Sequence, residues 1–142
     1  MEIWKDIADY KGLYQISTLG RVRSVDRMRK SKHHGVSKVK GRILTPLIQD
    51  GYYLVTLCKD NKMKHFRIHR LVAEAFITNP NDFPFINHID EDKSNNKVEN
   101  LEWCTREYNN NYGHRNEKIS MARQKIEQEK REKNAESKEQ EE

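Results

Sequence analysis

Eleven consecutive residues, Asp90 to Asn100, are Asp, Glu, Lys, Ser and Asn with the single exception of Val98. A run of this composition satisfies its own backbone through short side chains and has nothing to bury, so it has to be a loop. Short apolar runs flank it: Phe85-Ile86, which leads into Asn87-His88, and Leu101 to Cys104. These read as two strands. Thr105 then suits a helix N-cap, and Arg106 to Tyr112 reads as a short helix with Asn109 and Asn110 on its first turns. Strand, loop, strand and helix make a ββα unit that delivers an Asn-His pair at the end of its first strand.

The rest of the chain supports small modules and no deep cavity. Its 142 residues have a mean hydropathy of -1.07 and 35% charged residues, which leaves little for a large core. No run approaches the 18 apolar residues of a membrane span, and MEIWKDIADY lacks the basic-then-apolar order of a secretory signal, so no membrane partner and a cytoplasmic location are expected. Cys58 and Cys104 have no CxxC partner and are expected as reduced thiols, not as zinc ligands.

Charge is distributed unevenly. Residues 11–70 carry fifteen Lys and Arg against three Asp, whereas residues 71–113 carry three against eight acids. A basic field confined to one segment is what a polyphosphate-binding surface needs, since each neutralised phosphate releases counterions. Within that segment Leu13–Ser17 and Arg21–Val25 alternate around Thr18-Leu19-Gly20, a hairpin pattern, with Arg21 and Arg23 on the face opposite Val22. Trp4, Leu13, Tyr14 and Leu19 are expected to form a miniature core. Met28 to Lys40 shows no apolar period and reads as a mobile basic loop. Gly41–Leu47 and Tyr52–Cys58 form a hairpin around Asp50-Gly51, Lys64–His69 a further strand, and Leu71, Val72, Ala75 and Phe76 one buried helical face ending before Asn79-Pro80. Trp103 is the expected core anchor of the ββα unit. From His114 the chain is Glu, Lys, Arg and Gln with few apolar contacts, which predicts a marginal helix to about residue 131 and disorder beyond.

Several phrases together resemble a known family. HRLVAEAF at 69–76, NHID at 87–90, NN at 95–96 and ENLEW at 99–103 are similar to the HNH nucleases of phage and intron homing endonucleases, and W-x-D-I, GLYQIS and LGRVRS over residues 2–27 resemble the NUMOD4 module that accompanies them. The architecture this implies is α+β: a basic antiparallel β-rich module over 1–50, a ββα-metal nuclease unit over 51–113, and a charged helix and tail over 114–142.

The resemblance implies a metal-dependent DNA endonuclease acting on double-stranded DNA without a small-molecule cofactor. His88 would be the general base, since neutral imidazole accepts a proton near pH 7. Its orientation calls for a hydrogen bond at the other ring nitrogen, expected from a backbone carbonyl on the facing strand. Asn87 and Asn109 would hold one divalent ion, Mg²⁺ or Mn²⁺, and Asn100 would pin the loop. Asp90 is expected to cap a turn, and His69 to be structural or a phosphate contact. Arg21, Arg23, Arg27 and Arg70 would contact DNA. One ββα unit implies nicking by a monomer.

Many relatives place Asp where this chain has Asn87, and Gly where it has Glu91. Two neutral amides offer a hard cation little charge, so metal is expected to bind appreciably only once a DNA phosphate is present. The same departure sustains an alternative, a cleavage-deficient DNA-binding protein on this scaffold.

Overall fold

A computed structural model gives the fold for residues 1–113 and 115–139. The backbone forms two compact units, residues 1–105 and a second beginning at Arg106. In the first unit β1 (Trp4–Asp6), β2 (Tyr14–Ser17) and β3 (Val22–Ser24) make an antiparallel sheet in that order, with Trp4 opposite Ser17 and Ile16 opposite Val22. The expected hairpin is present, and β1 adds a strand to it that the sequence reading did not include.

Residues 28–40 are not a loop. β4 (Arg27–Ser31) and β5 (Gly35–Val39) pair antiparallel, Arg29 opposite Ser37, as a two-stranded ribbon in which every side chain is exposed or half-buried. Pairing here comes from backbone hydrogen bonds and a tight turn. Neither leaves the apolar alternation on which a strand reading depends.

A second three-stranded antiparallel sheet follows, from β6 (Leu47–Gln49), β7 (Tyr52–Lys59) and β8 (Lys62–Arg67). Its two turns, Asp50-Gly51 and Asp60-Asn61, have both residues at positive φ, the twist that two-residue hairpins need. α1 (Ile68–Phe76) begins one residue earlier than its polar start suggests, because Ile68 is buried, and His69 therefore stands on the helix and not at the end of a strand. β9 (Phe85–His88) and β10 (Leu101–Cys104) pair antiparallel across the polar loop, which holds a single 3-10 turn at Val98–Asn100.

One core serves the whole first unit. Tyr14, Ile16 and Val22 from the N-terminal sheet, with Ile7 and Tyr10 from the connection between β1 and β2, pack with Val55 and Leu57 of β7, Ile68, Leu71, Val72 and Ala73 of α1, and Ile86 and Leu101 of the last strand pair. The miniature core expected of Trp4, Leu13, Tyr14 and Leu19 is corrected accordingly. Tyr14 is buried and its hydroxyl accepts the Cys58 N–H at 3.1 Å, Leu13 packs at the margin, and Leu19 is 44% exposed. Strands of three and four residues enclose too little volume for a core of their own, so they lean on α1 and β7. Trp103 packs against this core and its indole N–H donates to the Ile77 carbonyl at 3.1 Å. Cys58 and Cys104 are both free thiols.

The second unit contains α2 (Arg106–Asn111) and α3 (Arg115–Glu139). The expected disorder after residue 131 gives way to helix as far as Glu139; residues 140–142 lie outside the described residues. The sequence of α3 is rich in strong helix formers, and Glu127–Arg131 at 2.7 Å and Gln128–Glu132 at 3.2 Å add support four residues apart. Among the described residues no helix is long and apolar enough to cross a membrane.

Leu57 is fully buried where the N-terminal sheet, β7 and α1 meet. Leu57→Ala should lower unfolding free energy by about 2–5 kcal/mol, read as a shift in urea midpoint with unchanged slope.

Candidate active site

His88 ends β9 and is buried, with 7% of the residue exposed. Its Nε2 lies 2.9 Å from Asn96 Oδ1. An amide oxygen can only accept, so Nε2 carries the proton and Nδ1 keeps a lone pair. Among the described residues the only buried side-chain nitrogen or oxygen lacking a partner is Nδ1 of His69. Nδ1 of His88, which has no hydrogen-bond partner among the described residues, is therefore not fully sealed from solvent, although the residue is buried. The orienting acceptor is thus a side chain in the polar loop, and not the backbone carbonyl expected on the facing strand.

The loop holding Asn96 is tied down from two sides. Asn100, buried at 7%, donates from Nδ2 to Asp90 Oδ1 at 2.9 Å and to the Asn95 carbonyl at 2.8 Å, while its Oδ1 accepts the Asp90 N–H at 3.0 Å. Asp90 in turn accepts from the Asn95 amide at 2.7 Å and the Asp92 N–H at 2.8 Å, and these bonds, Asn95 first, hold its carboxyl below the usual range. Both carboxylate oxygens of Asp90 are spent inside the loop. On the other side the N-terminal hairpin presses on the loop. Val98 N–H donates to the Thr18 carbonyl at 2.9 Å, and Gly20 at φ +79° sits where an added Cβ would come within 2.9 Å of Asn96. Glycine is required there both for its backbone angle and for the contact.

His69 projects from the first turn of α1 against the His88 ring, edge to face with centroids 5.1 Å apart, and Tyr52 lies within 5.3 Å of His69 and 6.3 Å of His88. Burial first, then the neighbouring His88, Arg67 and Arg70, pushes the His69 pKa down to about 3. His69 is thus neutral at physiological pH, and it adds no charge beside His88.

Asn87 precedes His88 and is 5% exposed. Alternation along a strand turns it to the other face of the hairpin. There it stands opposite Glu102 of β10, and its Nδ2 donates to Glu102 Oε1 at 2.9 Å. The sequence reading did not include Glu102. Its signal, visible only once the strands are in register, is a carboxylate directly across from the amide. The donor set fits a hard divalent cation: Asn87 Oδ1 is a carboxamide oxygen with its amide nitrogen already occupied, and a carboxylate adjoins it. Asn109 stands on α2, in the second unit.

The four arginines differ in their surroundings. Arg21 forks onto Glu2, with Nε to Oε1 at 2.8 Å and Nη2 to Oε2, and this bond holds the Glu2 carboxyl near 2. Arg23 donates twice to Gln15 Oε1, at 2.9 and 2.7 Å, with its guanidinium 4.0 Å above the Trp4 ring. Arg27 is exposed on the ribbon. Arg70 lies 5.8 Å from the Trp103 ring and 3.5 Å from Glu74.

Comparison with known proteins bears on this arrangement. Residues 2–58 match the NUMOD4 motif, and residues 66–111 match an HNH endonuclease family. The chain is 36% identical over 106 residues to the DNA endonuclease I-HmuI of Bacillus phage SP01, a match that covers 75% of this chain and 54% of that protein. It is 50% identical over 74 residues to an uncharacterized HNH endonuclease of Acanthamoeba polyphaga mimivirus, covering 51% of this chain and 22% of that one. A solved structure described as DNA binding and cleavage by the HNH homing endonuclease I-HmuI superposes with a TM-score of 0.57 at 30% identity, over 93% of this chain and 68% of that chain. The chain therefore spans between about a fifth and about half the length of these two curated relatives.

The depressed pKa of His69 has a consequence for stability. Between pH 6.5 and about 3 the unfolded chain binds a proton that the folded chain refuses, so this contribution is complete above pH 6.5 and declines as pH falls toward 3. Urea denaturation should show a loss on the order of 1–2 kcal/mol between pH 6.5 and 5, and His69→Phe should flatten that slope.

Proposed function

The chain belongs to the HNH homing endonuclease family, and on that premise we propose that it is a divalent-metal-dependent DNA endonuclease with His88 as its general base. The observation that carries this reading is the bond from His88 Nε2 to Asn96 Oδ1, which leaves Nδ1 unprotonated and not fully sealed from solvent. A base needs this arrangement: one ring nitrogen spent on orientation, the other free.

In the proposed reaction Nδ1 takes a proton from a water molecule as its oxygen attacks the phosphorus in line with the departing 3′ oxygen. The P–O3′ bond breaks, the departing oxygen takes a proton from a second water molecule, and the products are a 3′-hydroxyl and a 5′-phosphate; the proton on Nδ1 is later lost to the hydroxide so formed. The imidazolium that forms keeps its Nε2–H on Asn96, and neutral His69 beside it does not oppose the new charge. Asn87, through Oδ1, is the proposed protein ligand of one Mg²⁺ or Mn²⁺. When bound, the ion would offset charge on the phosphate and on the leaving oxygen. Asn100 and Asp90 hold the loop that presents Asn96, so their role is structural.

Double-stranded DNA is the proposed substrate, acted on in the cytoplasm of a host cell. The ribbon of β4 and β5 supports this: Arg27 and Arg29 line one face, and Lys30 and Lys38 lie on the other. A two-stranded antiparallel ribbon has the width of the major groove, and exposed side chains on both faces suit contact with both groove walls. Arg21, Arg23 and Arg70 are the further proposed phosphate contacts. A single His88 per chain suits nicking of one strand by a monomer.

His88→Ala should reduce chelator-sensitive nicking of supercoiled plasmid at least about 100-fold while gel retardation of the same DNA persists. Nicking at the parental rate would remove His88 from the base role. Wild-type protein that retards DNA but never cuts it in Mg²⁺ or Mn²⁺ would leave the cleavage-deficient binder as the better reading. Replacing Arg27 and Arg29 together by Ala should lower the slope of log affinity against log salt by about 2, read by fluorescence anisotropy on a duplex.

A further inference from the structure

Asn87 and Glu102 are cross-strand partners, and nothing else among the described residues bonds to either side chain. Among the described residues neither Asn87 Oδ1 nor Glu102 Oε2 has a hydrogen-bond partner, and neither is fully sealed from solvent, although Asn87 is buried; cross-strand pairing puts both on the same face of the hairpin.

A carboxamide has two ends of nearly equal size, one a cation ligand and the other a cation repellent. A carboxylate can only accept, so Glu102 captures the Nδ2 end and commits Oδ1 to the outside. It also brings a full negative charge to within one hydrogen bond of a ligand that has none of its own. We propose that Glu102 is the positioning residue of the cation site: it fixes the Asn87 amide with its oxygen outward and supplies the anionic field that draws in a hard divalent ion such as Mg²⁺ or Mn²⁺. The Asn87–Glu102 pair thereby does the work of a single Asp, and the cation has protein charge to meet before any DNA phosphate arrives. This inference rests on Asn87 being a metal ligand, and it replaces the expectation of a site with no charge of its own.

The substitution that isolates the effect is Glu102→Gln, which preserves size and removes the charge. Gln can donate as well as accept, so the commitment of the Asn87 amide is lost with it. The companion is the exchange Asn87→Asp with Glu102→Gln, which moves the carboxylate to the ligand position and leaves an amide behind it to donate.

The experiment is Mn²⁺ titration of the full chain without DNA, followed by the electron paramagnetic resonance signal of free Mn²⁺, with thermal unfolding as a fold control. Wild-type protein should bind, Glu102→Gln should weaken binding at least about tenfold at unchanged unfolding temperature, and the exchange variant should recover most of the loss. If Glu102→Gln binds like wild type while Asn87→Ala does not, the inference fails and the metal role of Asn87 stands. If the exchange variant binds no better than Glu102→Gln, the inference also fails. Absence of Mn²⁺ binding in wild type, with and without duplex DNA, would overturn both the inference and the reading beneath it.

Discussion

The hydrogen bond between His88 and Asn96 is the contact on which the arrangement depends, because a histidine can be a directed base only if one ring nitrogen is already committed. Asn96 can make that bond only if a polar loop with no core of its own keeps a fixed shape. Two devices supply it. Asn100 and Asp90 close the loop on itself, and the turn at Thr18 to Gly20 closes it from outside, through the Val98 bond to Thr18 and the packing of Gly20 against Asn96. The N-terminal hairpin is thus part of the wall that shapes the polar loop beside His88. This follows from size, since neither half of the first unit has enough apolar residues to fold around a separate core.

Charge is handled by separation. The basic field lies on residues 11–70, and the loop around His88 is acidic, with Asp90 and Asp92 held ionised by hydrogen bonds from their own neighbours. Several of the basic side chains are not idle: Arg21 is held by Glu2, and Arg23 is laid on Trp4. Such pairing fixes side chains that would otherwise be free in solution. Among the described residues Arg27 and Arg29 of the ribbon have no such hydrogen bond or ion pair.

Much of the fold was legible because the polar run from Asp90 to Asn100 admits one local solution, and the alternating runs on either side of Gly20 another; at Asp50-Gly51 the turn was legible, but the strand before it is Leu47–Gln49 and not the expected Gly41–Leu47. The ribbon of β4 and β5 was not legible, since its strands bury nothing and a charge-rich strand has the same composition as a charge-rich loop. The length of α3 was hidden for the opposite reason: local propensity and side-chain pairs four residues apart, one an ion pair and one a hydrogen bond, hold a helix that has no apolar face. At the site, the resemblance to the nuclease family pointed to His88, Asn87 and Asn100, but not to how they are held. That Asn96 faces the ring, that Glu102 faces Asn87 and that His69 abuts His88 all depend on strand register and on the approach of α1, which are tertiary facts. Trp4 shows the limit from another side, as an apolar residue that reads as core and serves as a platform for a guanidinium.

The most direct test of the central contact is the tautomer of the His88 ring, observed by nitrogen-15 NMR of the imidazole near pH 8. The account predicts a single form protonated at Nε2 in the parent protein, relaxing toward a mixture in Asn96→Ala. A parent ring protonated at Nδ1, or a tautomer unaffected by loss of the Asn96 carboxamide, would contradict it.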